Sequence, residues 1–149
     1  MLASGGADKL CRLWHVATGE AVRGFEGHTH HVLGIAWQDN GQRLATASAD
    51  HSVKVWKVDS GEQQRTIAGF SHEVTAIEFI GDTAQLVAVA ADGAARILNT
   101  DDGATLRGLA GAENALYSLS VSADSLRASA AGQTGKVWTW LIADGKLLE

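Results

Sequence analysis

The chain has 149 residues, 46% hydrophobic and 19% charged, with a formal net charge of −5, a length suited to one domain that buries most of its apolar surface. Twelve Lys and Arg are dispersed among seventeen Asp and Glu. Nucleic acid is therefore not expected as a partner, because phosphate binding needs a basic surface. No apolar run approaches the roughly 20 residues of a spanning helix, so no membrane partner is expected either. Met1-Leu2-Ala3-Ser4-Gly5-Gly6 has neither the basic start nor the apolar stretch of an export signal, and a cytoplasmic location is the default. The single Cys11 has no thiol partner for a disulfide, a zinc site or a haem attachment, and reads as a packed strand residue. With seventeen Gly and no Pro, the turns must be made by Gly, Asn and Asp.

In chain order, the predicted elements form one unit repeated along the chain. The N-terminal unit, about 1–27, begins at a second strand, since Leu2 aligns with Leu44 and Leu86. The next unit, 28–69, has strands at 32–37, 43–49, 53–58 and 63–68. Each is short, rich in β-branched and apolar residues and bounded by turn residues. The joining segments 38–41, 50–52 and 59–61 are hairpin-sized and hold residues that tolerate positive φ, which predicts a four-stranded antiparallel meander. The unit 70–111 repeats the pattern from VTAIEF, and the unit 112–149 from LYSLSV, ending in a short fourth strand near 146–149. Trp14, Trp56, Leu98 and Trp140 stand 42 residues apart; Asp8, Asp50, Asp92 and Thr134 keep the register, as do Gly19, Gly61, Gly103 and Gly145, and Arg23, Arg65 and Arg107. A period of about 40 to 45 residues is that of a propeller blade. Apolar residues on both faces of several strands, such as Leu44, Ala45 and Ala47, predict sheets sandwiched between sheets.

The stretch GHTHHVLGIAWQDNGQRLATASADHSVKVW, Gly27 to Trp56, resembles a WD repeat. The resemblance extends through the whole chain and implies an all-β fold: a β-propeller of four-stranded antiparallel blades. It also implies a structural hydrogen-bond network in each blade. His28, Thr46, Asp50 and Trp56 match it in the best-formed unit; Ser4, Asp8 and Trp14 match in the first, which begins too late to hold the His. In the third unit Asp92 stands with Phe70, Ala88 and Leu98, and in the fourth Trp140 stands with Ala112, Ala130 and Thr134. Only one network of the four is complete, so blade packing is expected to carry the second half. His, Thr and Asp together can be read as a catalytic triad, but their place in a repeated blade motif and the lack of an oxyanion-hole feature favour structure.

Three further constellations read as structural. His28, His30, His31 and His72 have no accompanying carboxylate or thiolate pattern for a metal. Gly132-Gln133-Thr134-Gly135-Lys136 lacks the first Gly and the final Ser or Thr of a phosphate loop and is a turn. Trp138 and Trp140 share one side of a strand, where they pack between blades. No cofactor and no catalytic or metal-binding residue is expected.

A propeller needs four to eight blades, and 149 residues hold about three and a half units of 42, so one chain is half a ring. The open ends would bare apolar faces to water. The expected partner is a second copy, a homodimer completing a ring of seven or eight blades; the rival is the missing remainder of a longer chain. As a WD-type scaffold the chain would bind proteins or peptides on the rim, where the exposed candidates are Thr29, His30, His31, His51, Ser71, His72, Glu73, Glu113, Asn114 and Gln133. Two alternatives are an engineered or fragmentary assembly with no evolved ligand, and an enzymatic or small-molecule propeller. For the second, the inner strands offer only Glu78 and Tyr117 as titratable groups.

Overall fold

The computed structural model describes residues 1–148. Among them are fourteen strands in four antiparallel sheets, and no helix is long and apolar enough to cross a membrane. Blade 1 is β1 (Leu2–Gly5), β2 (Cys11–Trp14) and β3 (Ala21–Phe25). Blade 2 is β4 (Val32–Trp37), β5 (Arg43–Ser48), β6 (Val53–Lys57) and β7 (Gln63–Ile67). Blade 3 is β8 (Val74–Phe79), β9 (Gln85–Ala90), β10 (Ala95–Asn99) and β11 (Thr105–Gly108), and blade 4 is β12 (Leu116–Val121), β13 (Arg127–Gly132) and β14 (Val137–Leu141). The predicted fourth strand of blade 4 is reduced to a single bridge from Leu147 to Trp140; Glu149 lies outside the described residues.

Blades 2, 3 and 4 repeat the same irregularity. The pairing of the first two strands slips between Val32 and Gly34, between Val74 and Ala76, and between Leu116 and Ser118, and leaves Leu33, Thr75 and Tyr117 as unpaired bulge residues. A bulge raises local twist, and blades 2, 3 and 4 each carry one at the same place in the inner hairpin.

Three apolar layers lie between successive sheets. Cys11, Leu13 and Phe25 of blade 1 meet Leu44 and Trp56 of blade 2. Ala45, Ala47, Val53 and Val55 on the other side of blade 2 meet Phe79, Leu86, Ala88 and Leu98 of blade 3. Val87, Val89, Ala95 and Ile97 then meet Ala128, Ala130, Trp138 and Trp140 of blade 4. Strand neighbours thus point into different layers, which is why β5 and β9 are buried at five successive positions. Cys11 lies within the first layer, where burial pushes its thiol up to about 12.

The periodic arginines tie each blade to the next. Arg23 Nη1 donates to the Asp59 carbonyl (2.9 Å), Arg65 Nη2 to the Asp101 carbonyl and Arg107 Nη1 to the Ile142 carbonyl (2.8 Å). Each stem crosses the glycine of the next blade's outer turn. A Cβ on Gly61 would lie 2.7 Å from Arg23 Cδ, and one on Gly145 2.6 Å from Arg107 Cδ. These glycines also hold φ near +75°, so both the turn and the passage of the arginine require them. Gly19, the equivalent in blade 1, has the same φ of 73° and nothing near it.

Candidate functional site

The blade 2 network is a directed chain of hydrogen bonds. Trp56 Nε1 donates to Thr46 Oγ1 (2.9 Å), and Thr46 Oγ1 lies 2.7 Å from His28 Nε2. His28 Nδ1 lies 2.8 Å from Asp50 Oδ2. A carboxylate only accepts, so Nδ1 carries the imidazole proton and Nε2 is left to accept from the Thr46 hydroxyl. Asp50 accepts three more bonds, from the Thr29 N–H (3.0 Å), the Ser52 N–H (3.1 Å) and the Ser52 hydroxyl (2.6 Å). With a side chain only 8% exposed, the carboxylate is fully provided for. The network seals the top of blade 2 and pins the segment entering β4 to the turn between β5 and β6.

Burial fixes the protonation states. It lowers the His28 pKa from 6.5, outweighing the opposing effect of Asp50, and keeps the ring neutral. Burial also pushes the Asp50 carboxyl up, but the bonds from Ser52, Thr29 and His28 win and bring it to about 2. Both groups have folded pKa values below their unfolded ones, so both stabilise at neutral pH and lose that contribution as pH falls. Stability should drop first as pH passes below about 6.5, where unfolded His28 gains a proton. A second drop, of about 2 kcal/mol, should run from near 3.8 toward 2 as Asp50 is protonated. Urea midpoints across this range check it: the second drop should be absent in Asp50→Asn, and an unchanged pH profile in that variant would count against the assignment.

The other blades are built differently. In blade 1, Trp14 Nε1 donates to Ser4 Oγ (2.8 Å), but Asp8 turns away, capping the Leu10 N–H and pairing with Arg12 at 2.6 Å. In blade 3, Asp92 caps the Ala94 N–H (3.0 Å) and faces His72 Nδ1 at 3.7 Å. Phe70 stands in the register position of His28 in blade 2, and Arg96 lies over its ring at 4.6 Å. In blade 4, fully buried Trp140 donates to the Ala110 carbonyl (2.7 Å). The indoles of blades 1, 2 and 4 thus find whatever acceptor their neighbourhood offers, as a buried N–H must, while blade 3 has Leu98 in that place.

The rim candidates gather at one end of the sheets. Thr29, His30, His31, His51, Ser71, His72, Glu113, Asn114 and Gln133 are exposed and Glu73 is half-buried. The rings of His30 and His31 lie 4.4 Å apart, tilted at 54°. His51 of blade 2 and His72 of blade 3, 21 residues apart in sequence, lie parallel with centroids 6.4 Å apart. His51 reaches this position from a backbone with φ 66°. Sequence reasoning placed both on the rim but not against each other, because nothing in the spacing marks a contact between neighbouring blades. Among the described residues no His, Cys, Asp and Glu side chains form a metal-holding group. Glu78 does not stand free either: its carboxylate accepts from the Val121 N–H of blade 4 at 2.9 Å, while Tyr117 is 58% exposed. Residues 133–136 are the turn between β13 and β14, with Gly135 at φ 72°.

Comparison with known proteins agrees with this geometry. Residues 19–57 match the WD domain, G-beta repeat family. A comparison with curated proteins gives no match. Among solved structures, the crystal structure of the computationally designed Ika8 protein is similar over 99% of this chain, with a TM-score of 0.85 and 27% identity. The chain spans 44% of the length of that one. It is an all-β half-ring of propeller blades in which residues 19–57 match the WD domain, G-beta repeat family.

Proposed function

We propose that the chain is a non-catalytic scaffold that binds a protein or peptide on its rim and completes its ring with a second copy. The observation that carries the first part is the His51–His72 pair, which joins two blades into one exposed surface with His30, His31 and Glu73 beside it. Imidazole rings, hydroxyls and a carboxylate provide donors, acceptors and flat faces that a peptide's backbone and side chains can meet. Loops on a rigid scaffold can carry such contacts while the sheets stay fixed. The second part is supported by the open end at blade 1, where Leu2 is 57% and Val16 69% exposed beside Trp14, and by the coverage of less than half of the similar designed propeller.

The rim reading is tested with His31→Glu and Glu73→Lys. Both should reduce capture of partner proteins from a lysate several-fold with melting temperatures unchanged. Equal capture by wild type and both variants would move the binding surface elsewhere.

A further inference from the structure

The two open ends of the half-ring are not alike. The side of each blade that faces its successor is apolar inside the molecule: Ala36, Ala45, Ala47, Val53 and Val55 in blade 2 are buried, with Gly34 on the same side by register. The same register in blade 4 puts Ser118, Ser120, Ser129, Ala131, Val137 and Thr139 on its outward side. Ser120 stands where blade 2 has Ala36, Ser129 where it has Ala45, and Thr139 where it has Val55; Ala131 and Val137 match Ala47 and Val53. Serine is alanine plus one oxygen, and threonine has the outline of valine. Blade 4 therefore keeps the relief of an interior face while carrying hydroxyls over it. Ser129 and Thr139 bond to each other across β13 and β14 at 3.0 Å, one hydroxyl donating and the other accepting.

Blade 1 offers the complementary side. The face that receives a preceding blade is built in blade 2 from Leu44, Thr46 and Trp56, and the equivalents in blade 1 are Leu2, Ser4 and Trp14. Three blade junctions of this kind already exist within the chain. A fourth between copies would repeat them.

Resting on the reading that the chain self-assembles, we propose that the seam joins the blade 4 face of one copy to the blade 1 face of another. Two such seams close a ring of eight sheets with two-fold symmetry. The hydroxyls make each seam weaker than an interior junction, because burying a hydroxyl costs desolvation that the apolar atoms at the same places in blade 2 do not. The ring opens and closes reversibly, and the blade 4 face stays soluble while open, as a terminal repeat must. An apolar blade 4 face would lock the ring shut and expose the free half-ring to aggregation.

Sedimentation equilibrium over a concentration series tests this. Wild type should pass reversibly between one and two copies. Ser129→Ala with Thr139→Val removes a bonded pair of hydroxyls with little change in outline and should tighten the dimer about ten-fold or more, since each change acts at both seams. Val137→Lys, at a side chain 58% exposed in the single chain, and Leu2→Lys on the opposite face should each weaken it at least a hundred-fold while melting as the wild-type monomer does. A dimer indifferent to all of these changes would overturn the seam and leave self-assembly standing through another surface. Monomers throughout, the Ala/Val variant included, would overturn self-assembly itself. A ladder of higher multiples would overturn the closed ring.

Discussion

Asp50→Ala is expected to destabilise the protein by about 3 kcal/mol, while Asp92→Ala should cost under about 1 kcal/mol. The two residues hold the same place in adjacent blades, yet one accepts four hydrogen bonds and the other caps a single turn N–H and faces a distant, exposed His72. Without the Asp50 carboxylate, the His28 Nδ1 proton is left in a pocket where the side chain is 2% exposed, and an orphaned buried donor carries its full desolvation penalty. For a chain of this length the difference corresponds to a melting-temperature gap of roughly 5 to 10 °C. Equal losses would mean that the blade 2 network adds nothing beyond packing. A loss confined to Asp50→Ala, with blade 4 folded around a Trp140 that needs no such network, would show that the two halves are stabilised by different means.

Gly132→Ser should be at least as damaging, about 3 kcal/mol or more, although serine is what blade 2 carries at the equivalent Ser48. A Cβ at 132 would lie 1.8 Å from the Ala115 carbonyl oxygen and 2.8 Å from Leu116 Cα. These are backbone atoms of the segment entering β12, and the same carbonyl accepts from the Gln133 N–H, so nothing can swing aside. Gly24→Ala is the control: that position is in a strand, has open space around its Cβ site, and should be neutral or gain about 0.5 kcal/mol. Chemical denaturation of the three proteins checks both. A mild Gly132→Ser would show that the entry segment repacks readily.

The period of 42 made the sheets legible because every blade uses the same strands and turns, and a buried strand must be apolar on both sides. The blade 2 network was legible for a related reason: His28, Thr46, Asp50 and Trp56 are distinctive residue types at fixed offsets. The arginine ties were visible as a register of Arg23, Arg65 and Arg107, but their purpose was not. Their acceptors are main-chain carbonyls, which leave no mark on a sequence. Asp8 was expected in a network and instead pairs with Arg12, since blade 1 has no His to hold it. The direction of Glu78 was equally hidden, because the slip at Val74 and Ala76 shifts the alternation that a strand count relies on. The short last strand became a single bridge at Leu147.

The matched segment 19–57 begins in the outer turn of blade 1 and stops at the end of β6. Sequence unit and sheet are thus out of phase: the outer strand of one blade is written in the same repeat as the inner three of the next. Lengthening such a chain by one repeat splices it into two sheets at once, and dividing it between repeats always parts a strand from its sheet. A duplication or loss that follows the phase of the matched segment therefore trades outer strands between neighbouring sheets, so a change in the number of blades made that way also remakes the joins on either side.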